Sequence, residues 1–167
     1  MVEGIKAFFA NTLGKGISVF ICSMIPIIEL RGAIPMAFVL GMPWWQAYII
    51  SVIGNMLPVP FILLFIPKIL AWMQKCKIKF FNKFANWLNR KVEKNKPKIE
   101  KYAFWGVCVF VAIPLPTTGA WTGSLVAAMI DMKFWKAMLS AFIGVLVAGA
   151  IVTAIVYGGI GALSFLV

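Results

Sequence analysis

The chain alternates apolar stretches with short polar interruptions, and the longest apolar stretches match the thickness of a membrane. Residues 44–66 and 135–157 are predominantly apolar, and a helix needs roughly 20 such residues to cross the hydrocarbon core of a bilayer. Both are therefore predicted to be full transmembrane helices. Trp44 and Trp45, at the start of the first one, suit a membrane interface.

Two further apolar stretches, 17–40 and 103–130, are broken in the middle by proline and polar residues. The first contains PIIELRGAIP and the second contains PLPTTGAWTG. Proline removes a helical hydrogen bond and disfavours helix at the residue before it, so neither stretch is expected to be one continuous helix. Each is predicted to form a re-entrant hairpin, with the break at its tip.

Two segments are predicted to lie on the membrane surface. The first is an interfacial helix over 1–15, because its apolar residues recur at helical spacing: Ile5, Phe8, Phe9 and Leu13. The second, 68–101, holds eleven of the sixteen lysines and arginines and is predicted to be a basic amphipathic segment in the cytoplasm, by the positive-inside rule. Pro97 is expected to break it.

Composition excludes a soluble protein. Hydrophobic residues make up 62% of the chain and charged residues 13%, whereas soluble domains carry about a quarter charged residues. Most of the formal net charge of +11 comes from the basic segment, and a juxtamembrane location explains this cluster better than nucleic-acid binding. The chain has no histidine, and its three cysteines are far apart, so no metal site, cofactor or disulfide framework is expected.

The two halves of the chain align when one is shifted by 90 residues. The shift superposes six pairs of matching residues: Pro26 on Pro116, Ala37 on Ala127, Met42 on Met132, Trp45 on Trp135, Ala47 on Ala137 and Gly54 on Gly144. If each half crosses the membrane once, the two halves have inverted topology. The positive-inside rule agrees, because Lys133 and Lys136 then lie on the same side as the basic segment.

The predicted fold is accordingly an all-α integral membrane domain built from two inverted repeats. Its parts are the interfacial helix (1–15), the first repeat (16–67), the basic cytoplasmic loop (68–101) and the second repeat (102–160). Each repeat is a broken re-entrant hairpin followed by a transmembrane helix. A homodimer is expected, since 167 residues are few for a transporter.

Glu29 and Arg31 are the first candidate site, because a charged residue inside the membrane costs at least about 2.5 kcal/mol. A non-helical turn after Pro26, with a helix starting near Glu29, lets both face a polar cavity together with Gly32. Glu29 is expected to cap that helix or to exchange a proton, and Arg31 offers a fork suited to phosphate or carboxylate. A static ion pair that fixes the hairpin is the alternative.

The second candidate site is uncharged. Its residues offer hydroxyls, loose backbone and an indole: Pro116, Thr117, Thr118, Gly119, Trp121 and Thr122. The alternative is a packing turn whose threonine hydroxyls bond to the backbone. Asn55 stands near Pro58 and Pro60 in the first crossing, where a bent helix is expected; it either lines the same cavity or joins helices by hydrogen bonding.

The motifs ELRGAIP, GNMLPVP and PLPTTGAWTG, in this order over residues 20–160, resemble the small multidrug export protein family. That family is in turn similar to the DedA membrane proteins, for which paired re-entrant hairpins and inverted repeats are described. The resemblance implies translocation of amphiphiles or lipid phosphates and proton coupling. DedA proteins carry arginine in the second hairpin, whereas PLPTTGAWTG has none, which weakens the case for phosphate binding there.

These observations favour a small secondary transporter or flippase in the cell membrane. It would move an amphiphile such as polyprenyl phosphate or a phospholipid through a midplane cavity between the hairpin tips, with proton coupling at Glu29. The alternatives are a multidrug exporter of lipophilic cations, which Arg31 would repel, and a non-transporting scaffold. An enzyme is not expected, because the chain lacks histidine and any carboxylate cluster.

Overall fold

The computed structural model describes residues 14–75, 79–113 and 118–159, and within these ranges all regular structure is helical. The predicted interfacial helix over 1–15 lies outside the described residues except for Gly14 and Lys15, which begin the first helix. The helices are α1 Gly14–Met24, then α2 Glu29–Val39, α3 Trp44–Met56, α4 Pro58–Lys75, α5 Lys79–Ala112, α6 Ala120–Met129 and α7 Phe134–Thr153, followed by a π-helical turn, Ala154–Gly158.

The helices belong to two compact units, and each long apolar helix is divided between them. The first unit comprises Met1–Leu57 and Val145–Val167, and the second comprises Pro58–Gly144. The first unit therefore contains α1 to α3 and the C-terminal part of α7. The second contains α4 to α6 and the N-terminal part of α7.

In the first unit, α1 and α3 run parallel while α2 runs back between their ends. Gly16 lies beside Ile50, and Gly54 lies against Phe20 and Ser23. A four-residue turn then connects α2 to α3. Small residues allow this close packing, and the buried cluster consists of Val19, Ala33, Ala37, Met42 and Ala47.

The C-terminal part of α7 runs antiparallel to α3 in the same unit. The Tyr157 hydroxyl donates to the Met42 carbonyl at 2.9 Å, next to the start of α3. The Tyr48 hydroxyl donates to the Leu146 carbonyl, more than ten residues earlier in α7, at 3.1 Å. The two helices therefore run in opposite directions.

In the second unit, the end of α5 runs parallel to the start of α7, as α1 does to α3. The Ser140 hydroxyl donates to the Phe104 carbonyl at 2.6 Å, and Gly144 lies against Cys108 and Val111. Gly123 of α6 packs against the other methyl group of Val111. Both units therefore hold a broken pair of helices against a longer one through a glycine contact.

The turns after α2 and α6 are locally alike and lie 90 residues apart. Gly41 has φ 69° and Asp131 has φ 56°, both in the left-handed region. The three amides of residues 40–42 donate to the carbonyls of 36, 38 and 37, and those of 130–132 donate to 126, 128 and 127. The sequence alignment of the two halves is reproduced at this position in hydrogen bonding.

Three prolines lie inside helices, contrary to the sequence analysis. Pro35 lies within α2, Pro67 lies within α4, and α5 continues through Pro97. The prediction that Pro97 breaks the basic segment is therefore wrong, and the helix of the predicted first crossing continues beyond residue 66. A proline removes one hydrogen bond while keeping φ helical, and the flanking turns hold these helices together. The proposed boundaries at 67/68 and 101/102 fall inside α4 and α5.

Two helical stretches have the length and composition of membrane spans, Trp44–Trp72 and Phe134–Gly158. Large apolar side chains cover their outer faces, including Ile49, Ile53, Phe61, Leu64 and Phe65. A soluble protein rarely exposes a continuous apolar surface of this kind. Trp44, Trp45 and Trp135 are also exposed, at the starts of α3 and α7, where an aromatic belt is expected.

Candidate functional site

The first helix break is a compact four-residue turn between α1 and α2. The amides of Ile25 and Ile28 donate to the carbonyls of Cys22 and Ile25 at 3.2 Å each, and the Glu29 amide donates to Ile25 at 2.9 Å. Pro26 has no N–H to contribute, which explains why the helix stops here. The break lies where the sequence predicted it, and α2 begins at Glu29 as expected.

Glu29 is buried and has an unfavourable backbone conformation. Only 6% of its surface is exposed, and its φ of 51° is left-handed, which is rare for a residue other than glycine, asparagine or aspartate. Such conformations cost on the order of 1–3 kcal/mol and cluster at functional sites. The capping position belongs to Ile28, with no side-chain cap, so the prediction that Glu29 caps the helix is wrong.

Glu29 and Arg31 interact electrostatically, since the negative charge of Glu29 partly offsets the cost of burying the Arg31 guanidinium. In a regular helix, residues two apart point in different directions. The left-handed backbone at Glu29 removes this restriction. The next residue, Gly32, is required for close packing, because a Cβ there would collide with the Ile28 side chain.

The tip lies near the middle of the apolar span. Because α1 runs beside α3 with Ser23 at the level of Gly54, the turn after Met24 lies level with Asn55 and the residues after it. Asn55 comes eleven residues after Trp44, about 16 Å along the helix axis. This level is close to the middle of the helical stretch Trp44–Trp72, which is 29 residues long.

Asn55 lies beside a local interruption of the long helix. α3 ends at Met56 and α4 begins at Pro58, while Leu57 keeps helical φ and ψ, so only the hydrogen bonding is interrupted. Pro58 and Pro60 provide no N–H, which leaves the Gly54 and Met56 carbonyls without their helical donors. The loosened carbonyls near Asn55 stay a prediction from the two prolines, and Leu57 shows no bend away from helical φ and ψ.

Ser51 is a polar residue in this region that the sequence analysis missed. Ser51 and Asn55 are 0% and 1% exposed, and within the described residues Ser51 Oγ and Asn55 Oδ1 have no hydrogen-bond partner. They stand one helical turn apart on one face of α3. That spacing could have identified Ser51 from sequence, although serine is common in helices and the signal is weak.

The second helix break, between α5 and α6, is held by threonine hydroxyls. Thr118 Oγ1 donates to the Ile113 carbonyl at 2.8 Å, and Thr122 Oγ1 accepts from the Gly119 amide at 2.9 Å. Gly119 is extended and precedes the first residue of α6. These two threonines therefore do what the alternative reading expected, and Trp121 is partly buried beside them. Pro116 and Thr117 lie outside the described residues.

The structure thus groups the candidate residues by unit. The first unit contains Glu29, Arg31, Gly32 and Asn55, near the tip of the first hairpin. The second contains Thr118, Gly119, Trp121 and Thr122, at the second break. The charged group offers a carboxylate and a guanidinium, whereas the described part of the second break offers uncharged side chains.

Comparison with known proteins gives one family. The model of a family described as "Putative small multi-drug export protein" matches residues 29–151, a stretch that begins at Glu29, directly after the first break, and includes the second break. No curated protein and no solved structure matches the chain.

Proposed function

The chain belongs to the small multi-drug export protein family, and from this premise we propose that it is a secondary transporter or flippase for amphiphilic molecules. The buried carboxylate of Glu29 is the observation that carries the proposal. A transporter needs a group that changes state inside the membrane, and an intramembrane ionisable residue is a functional candidate by default.

Glu29 is the proton-coupling group in this proposal. Glu29 is buried, has a left-handed backbone and lies near mid-span. Burial and backbone strain both lower the stability of the fold, so their presence supports a functional role for Glu29. Protonation removes the negative charge that offsets the Arg31 guanidinium. The hairpin tip then has a different net charge in its two states, which is what coupling to a substrate requires.

Arg31 is the anion ligand in this proposal. Its guanidinium stays charged and binds phosphate or carboxylate through two parallel hydrogen bonds. A lipid phosphate such as polyprenyl phosphate or a phospholipid has the anionic group for Arg31 and apolar chains for the surrounding bilayer. The uncharged second break would contribute polar contacts that cost little to desolvate.

The two halves are proposed to be inverted repeats, each with a re-entrant hairpin. The antiparallel course of α3 and the C-terminal part of α7 supports inversion, and the matching turns at 40–42 and 130–132 support repetition. The return of α2 along α1 supports re-entry. The basic segment at 68–101 is then assigned to the cytoplasm, and a homodimer remains our expectation.

Export of lipophilic cations is the second candidate function, and the family description favours it. Glu29 would attract such a cation, but Arg31 would repel it unless the pair separates on binding. A single substitution distinguishes the two functions. Arg31→Ala should abolish movement of a lipid phosphate and should preserve or increase movement of a cation.

The test is flipping of a fluorescent short-chain polyprenyl phosphate in proteoliposomes, with and without a pH gradient. We expect native protein to flip the lipid faster when the gradient is present. Glu29→Gln should lose the response to the gradient, and Arg31→Ala should lose flipping altogether. Lipophilic cations are assayed in parallel with the same proteins.

Asp131→Asn is the matched control. Asp131 is exposed and also has a left-handed backbone, a conformation that asparagine tolerates, so this carboxylate-to-amide change should leave flipping at the native rate. Folded native protein that moves neither class of substrate would overturn the proposal. Movement of cations alone would replace it with the second candidate function.

A further inference from the structure

Gly54 packs against α1, and two buried side-chain oxygens that have no hydrogen-bond partner among the described residues, Ser51 Oγ and Asn55 Oδ1, lie within one helical turn of it in α3. We propose that Ser51, Asn55 and the freed Gly54 carbonyl bind a monovalent alkali-metal cation between α1 and α3, with Ser23 beside them. Binding of the cation stands independently of transport. Its use as a coupling ion rests on the proposed function.

Gly54 is the centre of this group because nothing separates it from α1. A Cβ built there would lie 2.7 Å from the Phe20 carbonyl oxygen and would collide with Ser23 Oγ. Ser23 is fully buried and its hydroxyl donates to the Phe20 carbonyl at 2.7 Å, which leaves its oxygen lone pairs available. The α1 side therefore presents oxygen to Gly54.

The α3 side presents two more buried oxygens. Ser51 lies three residues before Gly54 and four before Asn55, so its side chain is a helical neighbour of both positions and points between their directions. Ser51 Oγ and Asn55 Oδ1 have no hydrogen-bond partner among the described residues. Buried polar atoms are almost always satisfied by protein, water or an ion, so these two oxygens call for a ligand.

The Gly54 carbonyl adds a third ligand from the backbone. Pro58 has no N–H to donate to it, and Gly54 is itself buried. Membrane transporters use unwound carbonyls together with side-chain oxygens to coordinate Na⁺. Here Pro58 leaves the Gly54 carbonyl without its usual helical donor, while Leu57 keeps helical φ and ψ.

The charge of the surroundings selects a monovalent ion. Ca²⁺ and Mg²⁺ favour sites with carboxylate ligands, whereas the three proposed ligands are neutral. Glu29 provides one negative charge at the same level, and Arg31 already offsets part of it. A hard cation with a single charge therefore fits the oxygen ligands and the available counter-charge.

The test is saturable binding of radioactive ²²Na⁺ to the purified full-length protein in detergent, with competition by unlabelled NaCl and KCl. Thermal unfolding is followed in NaCl, KCl and N-methylglucamine chloride at equal ionic strength. We expect saturable binding and a midpoint that rises by a few degrees with the alkali ion. Asn55→Leu and Ser51→Ala should each weaken binding roughly tenfold or more.

Ser140→Ala is the matched control, because Ser140 is equally buried but its hydroxyl already bonds to Phe104. This variant should bind the ion as the native protein does. Native protein without saturable binding would show that water alone serves these oxygens and would overturn the proposal. So would unchanged binding in Asn55→Leu and Ser51→Ala, with Ser51→Ala deciding if the leucine variant does not fold. Neither result depends on whether the protein flips lipid.

Discussion

The two helix breaks lie beside similarly packed helices but differ in the charge of their side chains. At the first, four residues join α1 to α2, and Glu29 and Arg31 interact beside the turn. At the second, the Thr118 and Thr122 hydroxyls bond to the backbone of residues 113 and 119. The long helix beside each break carries a glycine that packs against the helix leading into the break, Gly54 against α1 and Gly144 against α5. The comparison indicates that the two halves use the same kind of glycine packing, whereas only the first break carries charged side chains.

The largest effect is expected from separating the charged pair. Arg31→Met leaves the buried Glu29 without its counter-charge, and removal of one partner from a buried pair costs about 3 kcal/mol. The double variant Arg31→Met with Glu29→Gln should recover much of that loss. Reversible denaturation in SDS measures both. Equal destabilisation in the single and double variants would mean that the pair is energetically unimportant.

The next effect concerns the glycines that the two regions share. Gly54→Val and Gly144→Val each place side-chain atoms where Ser23 or Val111 already lies, so each should destabilise by about 2–3 kcal/mol. Gly106→Val is the control, because a Cβ there meets nothing within 4 Å. Sensitivity at only one of the two glycines would contradict a shared packing plan.

Removal of a threonine hydroxyl tests the uncharged break. Thr118→Val and Thr122→Val keep the shape of the side chain and each lose a hydrogen bond, with an expected cost of about 1 kcal/mol. Ser18→Ala, which removes an exposed hydroxyl bond to the Gly14 carbonyl within a single helix, serves as the reference. A loss equal to that of the charged pair would show that the second break is the more critical one.

The smallest effect is expected at the two left-handed turns. Asp131→Gly removes strain and should stabilise by about 0.5 kcal/mol, whereas Gly41→Ala introduces strain and should destabilise by about 1 kcal/mol. The same denaturation assay resolves the opposite signs. If both variants changed the free energy of unfolding in the same direction, the two turns would not be equivalent.

The positions of both breaks were predictable because proline and polar residues interrupt otherwise apolar stretches. The helix start at Glu29 followed from the same reasoning. The continuation of helices through Pro67 and Pro97 was not predicted. Each proline loses one helical hydrogen bond while the neighbouring turns keep theirs, and the local sequence does not show which effect is larger.

The details of the candidate site were less accessible from sequence. The left-handed backbone of Glu29 contradicts the preference of glutamate, and it depends on the turn and the packing around it. Ser51 was missed because its importance comes from burial against a neighbouring helix, and a serine at an isolated position does not reveal burial. The sequence shows a charged residue inside an apolar stretch, but it does not show whether a buried polar atom has a hydrogen-bond partner.

The division of each long helix between two units has a consequence for synthesis of the protein. The first unit requires the chain beyond Val145, and the second requires the part of α7 that ends at Gly144. A ribosome must therefore deliver α7, close to the end of the described chain, before either unit is complete. Until then α3 and α5 lack their partners from α7, and both halves of the protein become stable in one late step.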